Sequence, residues 1–169
     1  VEGFAQGLTS HAIGTARAIQ INPTAGAFAA LAMGLNGVEL LIVGDGELRK
    51  ELQALIDALT PAGKPANVRL MGNVDDGQKN SLLHSCDVFC LASRERTEAF
   101  GMVLLEAMHH AKPCIVSALP GSGMPWVLET AGAGLQAPVE DVAAWANVIQ
   151  QMHNSPTQRS HWGMAGQRA

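Results

Sequence analysis

Val88-Phe89-Cys90-Leu91-Ala92-Ser93-Arg94-Glu95-Arg96-Thr97-Glu98-Ala99-Phe100-Gly101-Met102-Val103-Leu104-Leu105-Glu106 reads as strand, polar loop, glycine and helix, in that order. Val88 to Ala92 is an apolar run of strand length, and the apolar segment that restarts after Gly101 continues as a helix to His109. This order aims the backbone N–H groups of a helix start at the carboxyl edge of a sheet, where an anion such as a diphosphate can bind. Glu98 and Glu106 bracket the helix start, and ionised carboxylates accept hydrogen bonds from sugar or ribose hydroxyls. Glu106 also falls within an otherwise apolar stretch, Met102 to Met108, where a carboxylate needs partners.

Working outward, the same alternation repeats. Val38 to Val43 is a strand closed by Gly44-Asp45-Gly46, and Leu48, Leu52, Leu55, Ile56 and Leu59 then recur at helical spacing until Pro61-Ala62-Gly63-Lys64-Pro65. Val68 to Met71 is the next strand, ended by Gly72, and Asp75 or Asp76 can cap a helix through Leu82 and Leu83. Pro113 to Val116 and Gly134 to Gln136 are strands, with the loop Pro120 to Gly123 and a helix whose first turn holds Pro125 between them. Val142, Trp145, Ala146, Ile149 and Met152 mark an amphipathic helix, and the last 15 residues read as frayed or cut short. Residues 1–37 give the weakest pattern: Ala18 to Asn22 suits a short strand and Pro23 to Gly34 a helix. The strands are continuous apolar runs, as in a parallel sheet covered on both faces. The expectation is therefore α/β: a doubly wound parallel sheet in a three-layer α/β/α sandwich, one domain over residues 1–169. Its carboxyl-edge loops, Gly44–Gly46, Gly72–Asp76, Ser93–Gly101 and Ser117–Gly123, form a polar rim.

Composition narrows the function classes. The 169 residues are 47% hydrophobic and 15% charged with a formal net charge of −4, and no basic stripe marks a nucleic-acid partner. No apolar run reaches the roughly 18 residues of a transmembrane helix, and the first residues lack a signal-peptide layout. A cytoplasmic location is expected, with peripheral contact at the inner membrane face a further option. Residue 1 is Val, which leaves room for chain upstream. Cys86, Cys90 and Cys114 are strand-associated and read as reduced core thiols, and the spacing of Cys86 and Cys90 does not suit a zinc knuckle. His109-His110 suits a helix C-terminus, and Trp126 and Trp145 suit core or interface positions.

The segments Leu41-Ile42-Val43-Gly44-Asp45-Gly46, Val68-Arg69-Leu70-Met71-Gly72-Asn73-Val74, Cys86 to Ser93 and Glu98 to Met108 together resemble the C-terminal half of a retaining glycosyltransferase of family 4 (group 1, GT-B fold) over roughly residues 38–152. The resemblance implies a Rossmann-like domain that binds a nucleotide-diphosphate sugar as donor substrate, with no metal or other cofactor and with an N-terminal domain carrying the acceptor. By match, Glu98 faces the hexose hydroxyls as the catalytic residue, and backbone N–H groups around Phe100, Gly101, Met102 and Val103 hold the diphosphate. Glu106 takes the ribose hydroxyls, Val74, Asp76 and Lys79 edge the base, and Gly44, Asp45 and Gly46 line the same cleft. Two departures stand out. Ala25 occupies the place where the family has a lysine, and Ala111 occupies a position mostly filled by glycine, so that helix end is expected to close differently.

Each residue also has a plainer role. Asp76 can be an N-cap, Lys79 a surface lysine, and Asp45 part of a strand-to-helix turn; Arg94 and Arg96 can meet phosphate or pair with Glu95. A nicotinamide-binding reading is weakened because Arg49 stands where G-x-G-x-x-G needs its third glycine. Ser93 lacks the Gly-x-Ser-x-Gly elbow of a hydrolase nucleophile. The rival reading is a non-catalytic nucleotide-binding or subunit-interaction module derived from the same fold.

Overall fold

The computed structural model of the chain describes residues 38–60, 62, 67–94 and 101–169. The readings made on residues 1–37, and on Glu98 and Phe100, lie outside the described residues. The chain divides into two compact units, Val1–Val74 and Asp75–Ala169.

The first unit contains β1 (Leu40–Val43), α1 (Arg49–Leu59) and β2 (Val68–Gly72). The two strands pair in parallel, with Leu40 opposite Val68 and a register shift between Ile42 and Val43. Gly44 then donates its N–H to the Gly72 carbonyl at 2.9 Å, which closes the carboxyl edge of the pair. Leu52, Leu55 and Ile56 of α1 are half-buried on one face, as their spacing anticipates.

The second unit is built from α2 (Asp76–Ser85), β3 (Phe89–Leu91), α3 (Met102–His109), β4 (Cys114–Ser117), α4 (Gly123–Ala131), β5 (Gly134–Ala137), α5 (Val142–Asn154) and α6 (Pro156–Arg168). Its strands form a parallel sheet in the order β3-β4-β5. The central strand β4 is buried at every position, because helices cover both of its faces. Leu104, Ala107 and Met108 of α3, Met124 and Leu128 of α4, and Trp145 and Met152 of α5 complete the core. Trp145 sends its indole N–H to the Pro138 carbonyl at 3.0 Å, so the ring is buried without an orphaned donor. Trp126 does the opposite: it stands 65% exposed in the first turns of α4 and takes no part in the core. Cys86, Cys90 and Cys114 are free thiols, Cys114 buried and the other two half-buried.

Two expectations are corrected. The last 15 residues are not frayed: they form α6, seated through two buried glycines. Gly163 lies so close to the Ala111 carbonyl that a β-carbon would sit 2.0 Å from its oxygen, and Gly166 packs on Ala133 and Met108. Gln167 and Arg159 secure the helix by donating to the carbonyls of His109, Met152 and His153. The second correction concerns Ala111. It adopts the left-handed conformation after all, with φ 54°. Ala111 N–H returns to Met108 and Lys112 N–H to Ala107, at 2.9 and 3.0 Å, so α3 ends in the usual left-handed closure despite the methyl group. Among the described residues, no helix is long and apolar enough to cross a membrane.

Candidate functional site

The site grows from the junction of β3 and α3. Gly101 caps α3 with φ 60° and ψ 68°, a left-handed geometry that suits glycine. The position is also tightly enclosed, since a β-carbon there would lie 2.9 Å from Leu91 Cδ2 and 3.2 Å from the Met124 side chain. Glycine therefore lets α3 begin directly against the last residue of β3. Among the described residues no side chain caps the helix. Leu104 N–H bonds back to the Gly101 carbonyl at 2.7 Å. Among the described residues the amides of Met102 and Val103 have no hydrogen-bond partner, and both stand at the positive end of the helix dipole.

One turn further on, Glu106 meets Lys79 of α2. Lys79 Nζ lies 3.0 Å from both carboxylate oxygens but donates a well-directed hydrogen bond only to Oε1. Oε2 is itself buried and has no hydrogen-bond partner among the described residues, which leaves one desolvated acceptor unfilled there. Lys79 also lies 3.3 Å from Asp76. Its ammonium is held above the usual lysine range, first by the hydrogen bond to Glu106 and then by that to Asp76. The Glu106 side chain remains 38% exposed and, with Asn80, Met102, Leu105, His109 and His110, lines an open groove of about 280 Å³.

The cap of α2 is Asp75 and not its neighbour. Asp75 accepts from Gln78 N–H at 2.7 Å while the Gln78 side chain accepts from Asp75 N–H at 3.1 Å, a reciprocal capping box. Asp76 is thereby released from the capping role the sequence offered it, and its carboxylate faces Lys79.

The structure thus brings Asp76, Lys79, Met102 and Glu106 together along α2 and α3, beside Gly101 and Val103. Gly44, Asp45, Gly46 and Val74 belong to the first unit. There Asp45 pairs with Arg49 at 3.5 Å, and Arg49 lies over Gly72. Sequence reasoning missed one contact at the carboxyl edge of the second unit. Arg94, just beyond β3, forms an ion pair with Glu140 in the turn after β5. The two residues are 46 positions apart, and only the tertiary fold joins them.

A parallel α/β sheet whose carboxyl edge carries a glycine-started helix and a lysine-bound carboxylate places the second unit in the doubly wound α/β class. Comparison with known proteins narrows this. Residues 25–169 match the family model for glycosyl transferases group 1, and the chain belongs to that family. A second model, for the LrgB-like family, matches residues 1–44. The chain is 34% identical over 124 residues to the D-rhamnosyltransferase WbpZ of Pseudomonas aeruginosa, covering 73% of this chain and 31% of that protein. It is 33% identical over 135 residues to a phosphatidyl-myo-inositol mannosyltransferase of Mycobacterium leprae, covering 78% and 33%. The chain therefore spans about a third of the length of these relatives. Among solved structures, Anabaena HepE in complex with UDP and glucose superposes with a TM-score of 0.72 at 22% identity over 86% of this chain and 38% of that one. WaaG, a glycosyltransferase involved in lipopolysaccharide biosynthesis, gives 0.70 at 22% identity over 88% and 38%. The fold is that of the Rossmann-like half of GT-B glycosyltransferases, as the sequence implied. The family match also runs past both ends of the stretch on which the resemblance was recognised, reaching the residues that form α6.

Proposed function

We propose that this chain is the donor-binding half of a group 1 glycosyltransferase, one that moves a hexosyl group from a nucleoside-diphosphate sugar to a glycan or lipid acceptor with retention of configuration. The observation that carries the reading is the junction at Gly101. Two amides without a partner among the described residues, Met102 and Val103, open a helix whose next turn presents Glu106 with an oxygen that is likewise unpartnered among them. In this reading the amides of Phe100 to Val103 take the diphosphate, and the ribose hydroxyls donate to Glu106. Lys79 orients Glu106 through their hydrogen bond, and with Asp76 and Val74 edges the base. Glu98 addresses the hexose, and Gly44, Asp45 and Gly46 carry over from the family resemblance as donor contacts. The chemistry asked of the protein is positioning, together with stabilisation of an oxocarbenium-like transition state and a departing diphosphate. The acceptor site belongs to a further domain, so the chain alone is not expected to turn over sugar. A cytoplasmic location, with peripheral membrane contact for a lipid acceptor, belongs to the same proposal.

The relatives lend the reading support through what they are: a rhamnosyltransferase and a mannosyltransferase by sequence, and a protein solved with UDP and glucose by fold. The sequence also favours the non-catalytic module in part: Ala25 stands at the expected lysine position and the family's Gly-Arg pair is absent before it, and a missing cation of this kind costs on the order of 10²–10³ in rate.

A thermal-shift panel with UDP, GDP, ADP and NAD decides between them. A ligand that binds only the folded state at 100 times its Kd adds about 2.7 kcal/mol. Stabilisation by one nucleoside diphosphate supports the donor-half reading. Silence throughout favours the interaction module, and a response to NAD alone overturns the assignment.

A further inference from the structure

We propose that Arg94 is an additional phosphate contact of the donor site, acting on the distal phosphate, and that Glu140 is its positioning residue. The proposal rests on reading the carboxyl edge of the second unit as the nucleoside-diphosphate site.

Placement is the first argument. Ser93 Oγ lies 4.0 Å from Met124 Sδ, and a β-carbon on Gly101 would lie 3.2 Å from the same sulfur. The exit of β3 and the start of α3 therefore meet around one thioether at the beginning of α4. Arg94 is the next residue after Ser93, so it leaves β3 at the same carboxyl edge of the second unit at which α3 begins. We infer that a diphosphate held through one phosphate by the opening amides of α3 offers its second phosphate to this guanidinium.

Charge and donor count are the second. Arginine offers five N–H donors in a rigid fork that matches phosphate oxygens. Among the described residues, Arg94 uses only Nη2, toward Glu140 Oε1, which leaves most of the fork available. Both side chains are nearly half exposed, at 46% and 45%. An exposed ion pair is weak and screened, so it can share its cation with an incoming anion.

The third argument is the backbone of Glu140. It holds φ 62°, a left-handed conformation that disfavours any residue with a β-carbon. It directly precedes Asp141, whose carboxylate accepts from Ala144 N–H and caps α5 without help from residue 140. A glycine would satisfy that turn more easily. The glutamate's one ion pair among the described residues is with Arg94, and it spans the sheet edge from the end of β3, across β4, to the turn after β5. Strain retained at a site edge in favour of one side-chain contact points to a positioning role.

The test is isothermal titration of wild type, Arg94→Gln, Arg94→Lys and Glu140→Gly with whichever of UDP, GDP or ADP stabilises the wild type, and with the matching monophosphate. We expect Arg94→Gln to lose about tenfold in diphosphate affinity while monophosphate affinity stays within about twofold, and Arg94→Lys to recover part of the loss. Glu140→Gly should bind diphosphate several-fold more weakly with an unchanged or higher Tm, because it loses the clasp and sheds the strain. If the wild type binds no nucleoside diphosphate, the donor-site reading itself fails. If it binds and Arg94→Gln binds within twofold, or loses mono- and diphosphate alike, the Arg94 assignment is overturned and the site reading stands. A parallel fall of Tm and affinity in Glu140→Gly makes that residue merely structural and overturns its positioning role.

Discussion

Helix α3 is flanked by two left-handed residues, and they make opposite predictions. At its start Gly101 has φ 60°, and at its end Ala111 has φ 54°. Gly101→Ala adds a left-handed penalty of about 1–2 kcal/mol. It also drives a methyl to 2.9 Å from Leu91 Cδ2 and 3.2 Å from Met124 Sδ. Met124 is buried, and overpacking of this kind costs about 1–3 kcal/mol. The sum is about 2–4 kcal/mol, allowing for partial relaxation of the flexible ends. Ala111→Gly removes the same left-handed penalty and adds back backbone entropy, for a net gain of about 0.5–1 kcal/mol. Urea titration followed by tryptophan fluorescence is the assay, because Trp126, Trp145 and Trp162 all lie in the second unit and report its unfolding. At a slope of about 2 kcal/mol/M, the midpoint should fall by about 1–2 M in Gly101→Ala and rise by a few tenths of a molar in Ala111→Gly. A Gly101→Ala shift below about 0.3 M, or a destabilised Ala111→Gly, would refute the reasoning about both ends of the helix.

Three further outcomes follow from particular contacts. Gly163→Ala would set a methyl 2.0 Å from the Ala111 carbonyl oxygen, a backbone atom with little freedom; a loss of about 3 kcal/mol and early proteolysis of α6 are expected, and wild-type protease resistance would contradict its seating. Glu106→Ala should weaken nucleoside-diphosphate binding by about tenfold, and Glu98→Ala should leave it nearly unchanged, because ribose is present and the hexose is not; titration calorimetry that finds both mutants at wild-type affinity counts against these roles. Burial pushes the Cys90 thiol up to about 12 and raises Cys114 and Cys86 as well. The folded thiols keep their protons where the unfolded chain loses them, so their contribution is whole below the ordinary value of 9.0 and declines as pH rises from there toward 12. The decline is at most about 1.4 kcal/mol per pH unit for each thiol. The chain has no Tyr to confuse this range. Urea melts between pH 8 and 11 should therefore slope downward, less steeply in Cys90→Ala, and a flat profile would show that the thiols are not desolvated.

The legibility of the sequence varied with the kind of signal. Strands such as Cys114–Ser117 were readable because burial on both faces demands an unbroken apolar run. Helix α5 was readable because Trp145 and Met152 mark its buried stripe. Helix α6 was hidden: its contacts run through Gly163 and Gly166, and a helix seated by glycines presents no apolar stripe. Asp75 and Asp76 are interchangeable to a propensity argument, and only the reciprocal bonds with Gln78 assign the cap. Glycine was expected at 111 on conformational grounds, but the hydrogen bonds that close α3 together with the packing of α6 outweigh the strain of a single methyl. The need of Glu106 for a partner was legible. Its partner's identity was not, because Lys79 lies 27 residues away on another helix.

The central claim is that the opening amides of α3 receive a diphosphate, and amide-resolved NMR tests it most directly. On saturation with the nucleoside diphosphate that stabilises the chain, the Met102 and Val103 amides should shift strongly and gain protection from solvent exchange. Binding that leaves those two amides unmoved while perturbing residues elsewhere would contradict it.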